Sequence, residues 1–132
     1  MAGTYVFNVV APDGQVLNKE IEFVVVPGEN GEIGVLPNHA PLIAGLGIGV
    51  IRYTENGKVN KVAISGGFME VIHNKVTVLA NTAETAGNIN IQRAEAAKER
   101  AEKRLKEWTP DTDLARAEVA LKRAIARIKA VS

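Results

Sequence analysis

KVTVLANTAETAGNINIQRAEAAKERAEKRLK, residues 75–106, changes character in mid-course, and that change decides the fold. Lys75 to Ala80 reads as a strand, rich in β-branched residues, whereas from Asn88 onward the chain is built from Ala, Glu, Lys and Arg, the strong helix formers. Gly87 stands between the two and is the last glycine in the chain, while the other eleven lie between Gly3 and Gly67. A boundary follows, with a β module over residues 1–86 and a helical module over residues 87–132. Charge divides at the same place: residues 1–86 carry 5 Lys and Arg against 8 Asp and Glu, and residues 87–132 carry 11 against 7. The basic part of a chain whose overall charge is only +1 is therefore its helical part.

Upstream of the boundary, strands are expected at Tyr5 to Val10, Glu20 to Val26, Glu32 to Leu36, Gly49 to Tyr53, Val59 to Ser65, Gly67 to His73 and Lys75 to Ala80. Glu55-Asn56-Gly57-Lys58 holds the Asn-Gly pair that tolerates positive φ in a two-residue hairpin, and His73-Asn74-Lys75 closes the next one. In Glu20 to Val26, alternation predicts Ile21, Phe23 and Val25 on the buried face. The expected fold class is α+β: an antiparallel β-sandwich of about ten short strands, then an antiparallel two-helix hairpin.

Downstream, two amphipathic stripes recur at spacings of three and four. Ala94, Ala97, Ala101, Leu105 and Trp108 mark the first helix; Leu114, Ala117, Leu121, Ala124, Ile128 and Val131 mark the second. Asn88 or Asn90 is placed to cap the first, and Thr109 with Pro110 suits the cap and first turn of the second. Alanine stripes let helix axes approach closely but bury little apolar area, at about 0.8 kcal/mol for each methylene-sized group. Such a hairpin leans on the sandwich, a ligand or a partner to stay folded.

Composition excludes much chemistry. The 132-residue chain has no cysteine, hence no disulfide, thiolate metal site or thiol nucleophile. No stretch approaches the roughly 18 apolar residues that span a bilayer, and the amino terminus lacks a secretory pattern, so no direct membrane insertion is expected. A phosphate-binding GxxxxGK[ST] loop and an HExxH pair are absent, and Ala63 stands where a GxSxG elbow around Ser65 needs its first glycine. His39 and His73 are too far apart for a local metal motif. Lys98, Arg100, Lys103, Arg104 and Lys106 are interrupted by Glu95, Glu99, Glu102 and Glu107, which favours a helix face laced with i,i+4 pairs over a nucleic-acid site.

Three blocks carry a resemblance: Gly31-Glu32-Ile33-Gly34-Val35-Leu36-Pro37-Asn38-His39-Ala40-Pro41-Leu42-Ile43, then Ala63-Ile64-Ser65-Gly66-Gly67-Phe68-Met69-Glu70-Val71, then Val76-Thr77-Val78-Leu79-Ala80. With the basic, Ala-rich hairpin they resemble the epsilon subunit of bacterial F-type ATP synthases, in order and spacing over essentially the whole chain. The resemblance implies a rotor subunit without catalytic residues of its own, a peripheral protein on the cytoplasmic side of the bacterial cell membrane. It implies contact with the gamma subunit and the ring of c subunits through Glu32, Pro37, His39, Ala40 and Pro41, with Asn38 in place of the family's common glycine. It implies further that the hairpin blocks ATP hydrolysis when extended into the catalytic head, where Arg116, Lys122, Arg123 and Arg127 would meet acidic residues of the beta subunit, with alpha beside it.

Bacillary and thermophilic members carry an I(L)DxxRA motif that binds ATP, and Ile89-Asn90-Ile91-Gln92-Arg93-Ala94 resembles it here. By that resemblance Glu84, Ile89, Asn90, Arg93 and Ala94 surround base and ribose, while Arg100, Arg123 and Arg127 meet phosphates. Asn90 replaces the motif's aspartate, so one carboxylate acceptor becomes an amide and ATP is held more weakly. No cofactor is required; ATP enters as a regulatory ligand. The other reading of the same residues is an ATP-sensing module with little inhibitory role.

Overall fold

The computed structural model describes residues 3–132, with eight strands and two α-helices. In chain order the strands are β1 (Tyr5–Ala11), β2 (Gly14–Ile21), β3 (Phe23–Gly28), β4 (Gly31–Val35), β5 (Leu42–Glu55), β6 (Lys58–Ile72), β7 (Lys75–Ala80) and β8 (Ala83–Thr85). A short 3-10 turn, Ala86–Asn88, leads into α1 (Ile91–Lys106) and α2 (Leu114–Ala130). The strands are hydrogen-bonded in the order β2-β1-β7-β6-β5-β3-β4, with β8 added to β6.

Fewer and longer strands replace the ten short ones expected. β5 and β6 have 14 and 15 residues and form one long hairpin, closed at Glu55↔Lys58 by Asn56 (φ 52°) and Gly57 (φ 77°) as the Asn-Gly pair predicts. β6 joins two segments expected to be separate, and it pairs β7 through residues 67–72 but β8 through residues 62–64. The change of partner occurs at Gly66 and Gly67, both at positive φ; a Cβ on Gly67 would sit 2.1 Å from Leu79 O, so only glycine lets β7 pass this close. The β5–β6 hairpin thus serves both layers, one built with β7, β1 and β2, the other with β3, β4 and β8.

Two further expectations are corrected. Glu20 to Val26 is not one strand: it breaks at Glu22, where the chain stops pairing with β1 at Tyr5↔Ile21 and starts pairing with β5 at Phe23↔Thr54. The break shifts the alternation by one residue, so Ile21, Val24 and Val26 are fully buried while Phe23 and Val25 are half-buried. Nor is the sheet wholly antiparallel, because β1 and β7 run parallel from Val6↔Lys75 to Val10↔Leu79.

Between the layers lies an aliphatic core that includes Phe7, Val9, Ile21, Val24, Ile51, Val62, Met69 and Val78. Contacts tie one layer to the other: the Phe7 and Tyr53 rings lie 5.5 Å apart, and Tyr5 Oη donates to Val35 O at 2.6 Å. The helices pack differently. α1 rests on α2, burying Ala94 and Ala101, and α2 lies against β5 and β6, where Ala126 and Ala130 meet Ala63 beside Ile48, Val50 and Ile89.

The caps settle the helix starts. Asn90 Oδ1 accepts from Arg93 N at 3.0 Å and begins α1. For α2 the cap is Asp113, accepting from Arg116 N at 3.0 Å, and not Thr109. Thr109 is instead held in a turn, its N–H donating to Thr112 Oγ1 at 2.9 Å, so Pro110 falls outside the helix. Trp108 lies beyond α1 and is 58% exposed, and so leaves the expected stripe.

Candidate functional site

A cavity of about 430 Å³ opens where α1 begins beside α2 and β8. Its walls come from Glu84 on β8, from Asn88 and Asn90 in the connection, from Arg93, Ala94, Ala97 and Arg100 on α1, and from Arg127 on α2. Helix geometry explains the convergence. Asn90, Arg93, Ala94, Ala97 and Arg100 recur at three- and four-residue steps, so one face of the first turns of α1 carries them all. The alanines keep that face hollow and the arginines rim it.

Electrostatically the lining of the cavity is suited to an anion. Three guanidiniums face a single carboxylate, and that carboxylate is already engaged: Arg127 Nε donates to Glu84 Oε1 at 2.7 Å. This is the one ion pair among the described residues that joins a strand to a helix, since the other two, Lys19–Glu55 and Arg52–Glu32, lie within the sandwich. Arg93 and Arg100 are exposed and have no ion-pair partner among the described residues. Guanidinium forks match the oxygens of phosphate or carboxylate in pairs.

Of the eight residues expected around a nucleotide, six line this cavity: Glu84, Asn90, Arg93, Ala94, Arg100 and Arg127. Ile89 does not; it turns toward the apolar cluster under α2 with Ala63, Ala126 and Ala130. Arg123 faces an adjoining narrow cleft that shares Glu84 and Arg127 with the cavity and lies beside Ser65 and Thr82, whose hydroxyls are hydrogen-bonded to each other. Asn88 and Ala97 are additions. Ala97 was available from the helical spacing, whereas Asn88 was read only as a potential cap, and its Nδ2 bonds Thr85 Oγ1 at 3.0 Å.

The expected contact residues of the sandwich divide into two places. Glu32, near the start of β4, pairs with Arg52 of β5 at 2.9 Å. Pro37, His39, Ala40 and Pro41 lie beyond the other end of β4, in the loop to β5, so Glu32 is separated from them by the length of the strand. In that loop Asn38 takes φ 61°, the left-handed region its side chain tolerates, and its N–H donates to Asn74 Oδ1 at 2.7 Å. His39 Nδ1 sits 2.6 Å from Ala40 O. On the outer face of β5, β6 and β7 the register puts Phe68 beside Leu79 and Ile43 beside Glu70, two residues along β6 on the same face. Ile43, Phe68 and Leu79 are 74%, 62% and 56% exposed, an apolar patch of the kind that marks an interface.

On α2, Arg116, Lys122 and Arg123 are exposed and only Arg127 is half-buried. Arg116 stands at the far end of the hairpin, across a shallow hollow from Arg104. No helix among the described residues is long and apolar enough to cross a membrane.

With this geometry in place, comparison with known proteins assigns the chain. The profile of the ATP synthase delta/epsilon chain β-sandwich domain matches residues 4–86, and that of the delta/epsilon long α-helix domain matches residues 88–132. The ATP synthase epsilon chain of Desulfitobacterium hafniense (strain DSM 10664 / DCB-2) is 63% identical over 130 residues, covering 98% of both chains. That of Bacillus licheniformis is 52% identical over 121 residues, covering 92% of both. Among solved structures, a chain of the Euglena gracilis mitochondrial ATP synthase, OSCP/F1/c-ring, superposes with a TM-score of 0.83 at 22% identity, over 98% of this chain and 82% of that one. A chain of the central stalk and c-ring of the Tetrahymena thermophila mitochondrial enzyme gives 0.61 at 9% identity, over 96% of each, and both likenesses concern the fold alone. The chain belongs to the family of ATP synthase epsilon chains.

Proposed function

We propose that the chain is a non-catalytic rotor subunit that couples proton transport to ATP synthesis and restrains ATP hydrolysis through its helical hairpin. In this reading the sandwich holds the gamma subunit and the c ring, which keeps the protein peripheral on the cytoplasmic side of a bacterial membrane. The exposed apolar patch of Ile43, Phe68 and Leu79 supports a permanent partner on that face. Glu32 and the Pro37–Pro41 loop supply the polar remainder of the contact.

The observation that carries the regulatory half is the seam under α2. It is closed mainly by alanines, Ala126 and Ala130 on Ala63 with half-buried Ile48, Val50 and Ile89 beside them, and fastened by two polar ties, the half-exposed Glu84–Arg127 ion pair and Lys61 Nζ donating to Ser132 O at 2.8 Å. A few kcal/mol of differential binding suffices to move such an element from the sandwich to another surface. ATP in the arginine-rimmed cavity bridges β8, α1 and α2 and so favours the docked hairpin. With Asn90 in place of a carboxylate, ATP is bound weakly.

The test is reconstitution with the other subunits of the catalytic head. Adding the chain is expected to lower ATP hydrolysis, and replacing Arg116 and Lys122 by alanine, neither of which lines the cavity, to restore it in part; adding Arg123→Ala and Arg127→Ala should restore it further. Hydrolysis that ignores the added chain favours the second reading, a nucleotide-sensing hairpin with little inhibitory role, for which the cavity itself is the supporting observation.

A further inference from the structure

Between β4 and β5 the chain enters a loop with few ties of its own. Pro37 and Pro41 carry no N–H, and His39 Nδ1 reaches only the adjacent Ala40 carbonyl. Among the described residues, one hydrogen bond joins residues 37–41 to another part of the fold: the Asn38 N–H donates to Asn74 Oδ1 at 2.7 Å. Asn74 reaches a third segment as well, its Nδ2 donating to Thr4 O at 3.1 Å, just before β1. Gly3 lies at the same junction, since a Cβ there would rest 3.7 Å from Pro37 Cβ. The two bonds fix the orientation of the Asn74 carboxamide, because a backbone N–H only donates and a carbonyl only accepts.

The turn that carries Asn74 does not need its side chain. His73 and Asn74 connect the Ile72↔Lys75 pair as a two-residue hairpin, with φ of 51° and 55°. Glycine takes such backbone at no steric cost, whereas asparagine merely tolerates it. What asparagine adds here is the bridge from the β6–β7 turn to the loop and to Thr4. The loop so held is flanked by Leu36 and Ile43, 63% and 74% exposed, apolar surface of the kind that a partner covers.

We infer that Asn74 is a positioning residue, whose carboxamide holds the Pro37–Pro41 loop in the shape in which it meets the rotor. The inference rests on the coupling reading above, which assigns this loop to the contact with gamma and the c ring. A loop ordered beforehand loses less freedom on association. Removing the bridge should therefore weaken the contact about three- to tenfold, the equivalent of one hydrogen bond.

The test compares the native chain with Asn74→Gly and Asn74→Asp. Glycine keeps the turn and removes the bridge; aspartate keeps an oxygen for the Asn38 N–H and shares asparagine's tolerance of left-handed backbone. Each protein is titrated into vesicles carrying ATP synthase depleted of this chain, and the concentration that gives half-maximal ATP-driven proton uptake is read. Urea denaturation and the exchange rate of the Asn38 amide by NMR accompany it. For Asn74→Gly the urea midpoint should stay near the native one, Asn38 exchange should quicken about tenfold, and the half-maximal concentration should rise about three- to tenfold. Asn74→Asp should stay within about twofold of the native chain in both exchange and uptake. Exchange or uptake unmoved by Asn74→Gly overturns the inference and leaves the coupling reading intact. So does a loss that Asn74→Asp fails to restore, or one matched by a fall in the urea midpoint, which would make the bridge a tie of the sandwich alone. Proton uptake that ignores the native chain itself overturns the coupling reading and the inference with it.

Discussion

The sandwich and the hairpin are held by opposite means. Between the sheet layers sit Phe7, Ile21, Ile51 and Met69, each with no exposed surface, while the buried residues of the seam between helix and sheet are the alanines Ala63, Ala126 and Ala130, with Ile48, Val50 and Ile89 only partly buried against them. Apolar stabilisation scales with the area buried, so the first interface is expensive to open and the second is not. One chain thus joins a fixed body to a part that can leave it, and the dividing line is the size of the side chains.

The largest test of this contrast is Phe7→Ala, which should cost about 3–5 kcal/mol of sandwich stability by urea denaturation; a loss below 1 kcal/mol would show that the core is not the rigid element. Alkaline pH should strike the same region. Burial raises the phenol pKa values of Tyr5 and Tyr53 above the ordinary value of about 10. Below pH 10 both phenols are neutral in the folded and unfolded chain and their contribution is complete. Above it the unfolded chain ionises first, so stability should fall with rising pH by about 1.4 kcal/mol per unit for each tyrosine until its folded value is passed. Urea midpoints at pH 8 and pH 11 measure this, and a flat profile would contradict the burial of both rings.

Smaller effects should fall on the hairpin alone. Ala126→Leu overfills the seam and should weaken docking by about 1–3 kcal/mol. Amide exchange in residues 114–130 should quicken while residues 42–72 remain protected; slowed exchange throughout would mean the two regions are one cooperative unit. Asn90→Ala removes the cap of α1 at about 1 kcal/mol, whereas Asn90→Asp should be nearly neutral in the absence of ligand. Helix content by circular dichroism separates the two variants.

What the sequence disclosed follows the range of the forces involved. The turns at Asn56-Gly57 and His73-Asn74 were legible because residues prone to positive φ specify them locally, and all four do adopt positive φ. The slip at Glu22 was not, since it arises where the chain exchanges β1 for β5 as a partner, and no nearby residue records which strand will be alongside. The cap of α2 was misplaced for a related reason. Thr109 and Asp113 are both good capping residues, but it is the Asp113 side chain that accepts the N–H three residues on, from Arg116, while Thr109 accepts from Thr112 N only through its carbonyl, closing an isolated turn. In the cavity, Asn90, Arg93 and Arg100 were also singled out by family resemblance, and helical spacing accounts only for their sharing one face of α1. Glu84 and Arg127, 43 residues apart, were brought to it only by family resemblance, and the fold supplies the contact. Ile89 shows the limit of that resemblance, being drawn to the apolar cluster under α2.

The β5–β6 hairpin has a consequence for how the sandwich yields. Because β6 bonds β7 over one stretch and β8 over another, a crack opened in either layer must run along a strand that the other layer also needs. The layers therefore have no separate melting points: probes placed on β2 and on β4, at opposite edges of the sheet, should report the same transition. Under a twisting load that strand pair behaves as a keel, spreading strain along 13 paired positions instead of concentrating it at a joint.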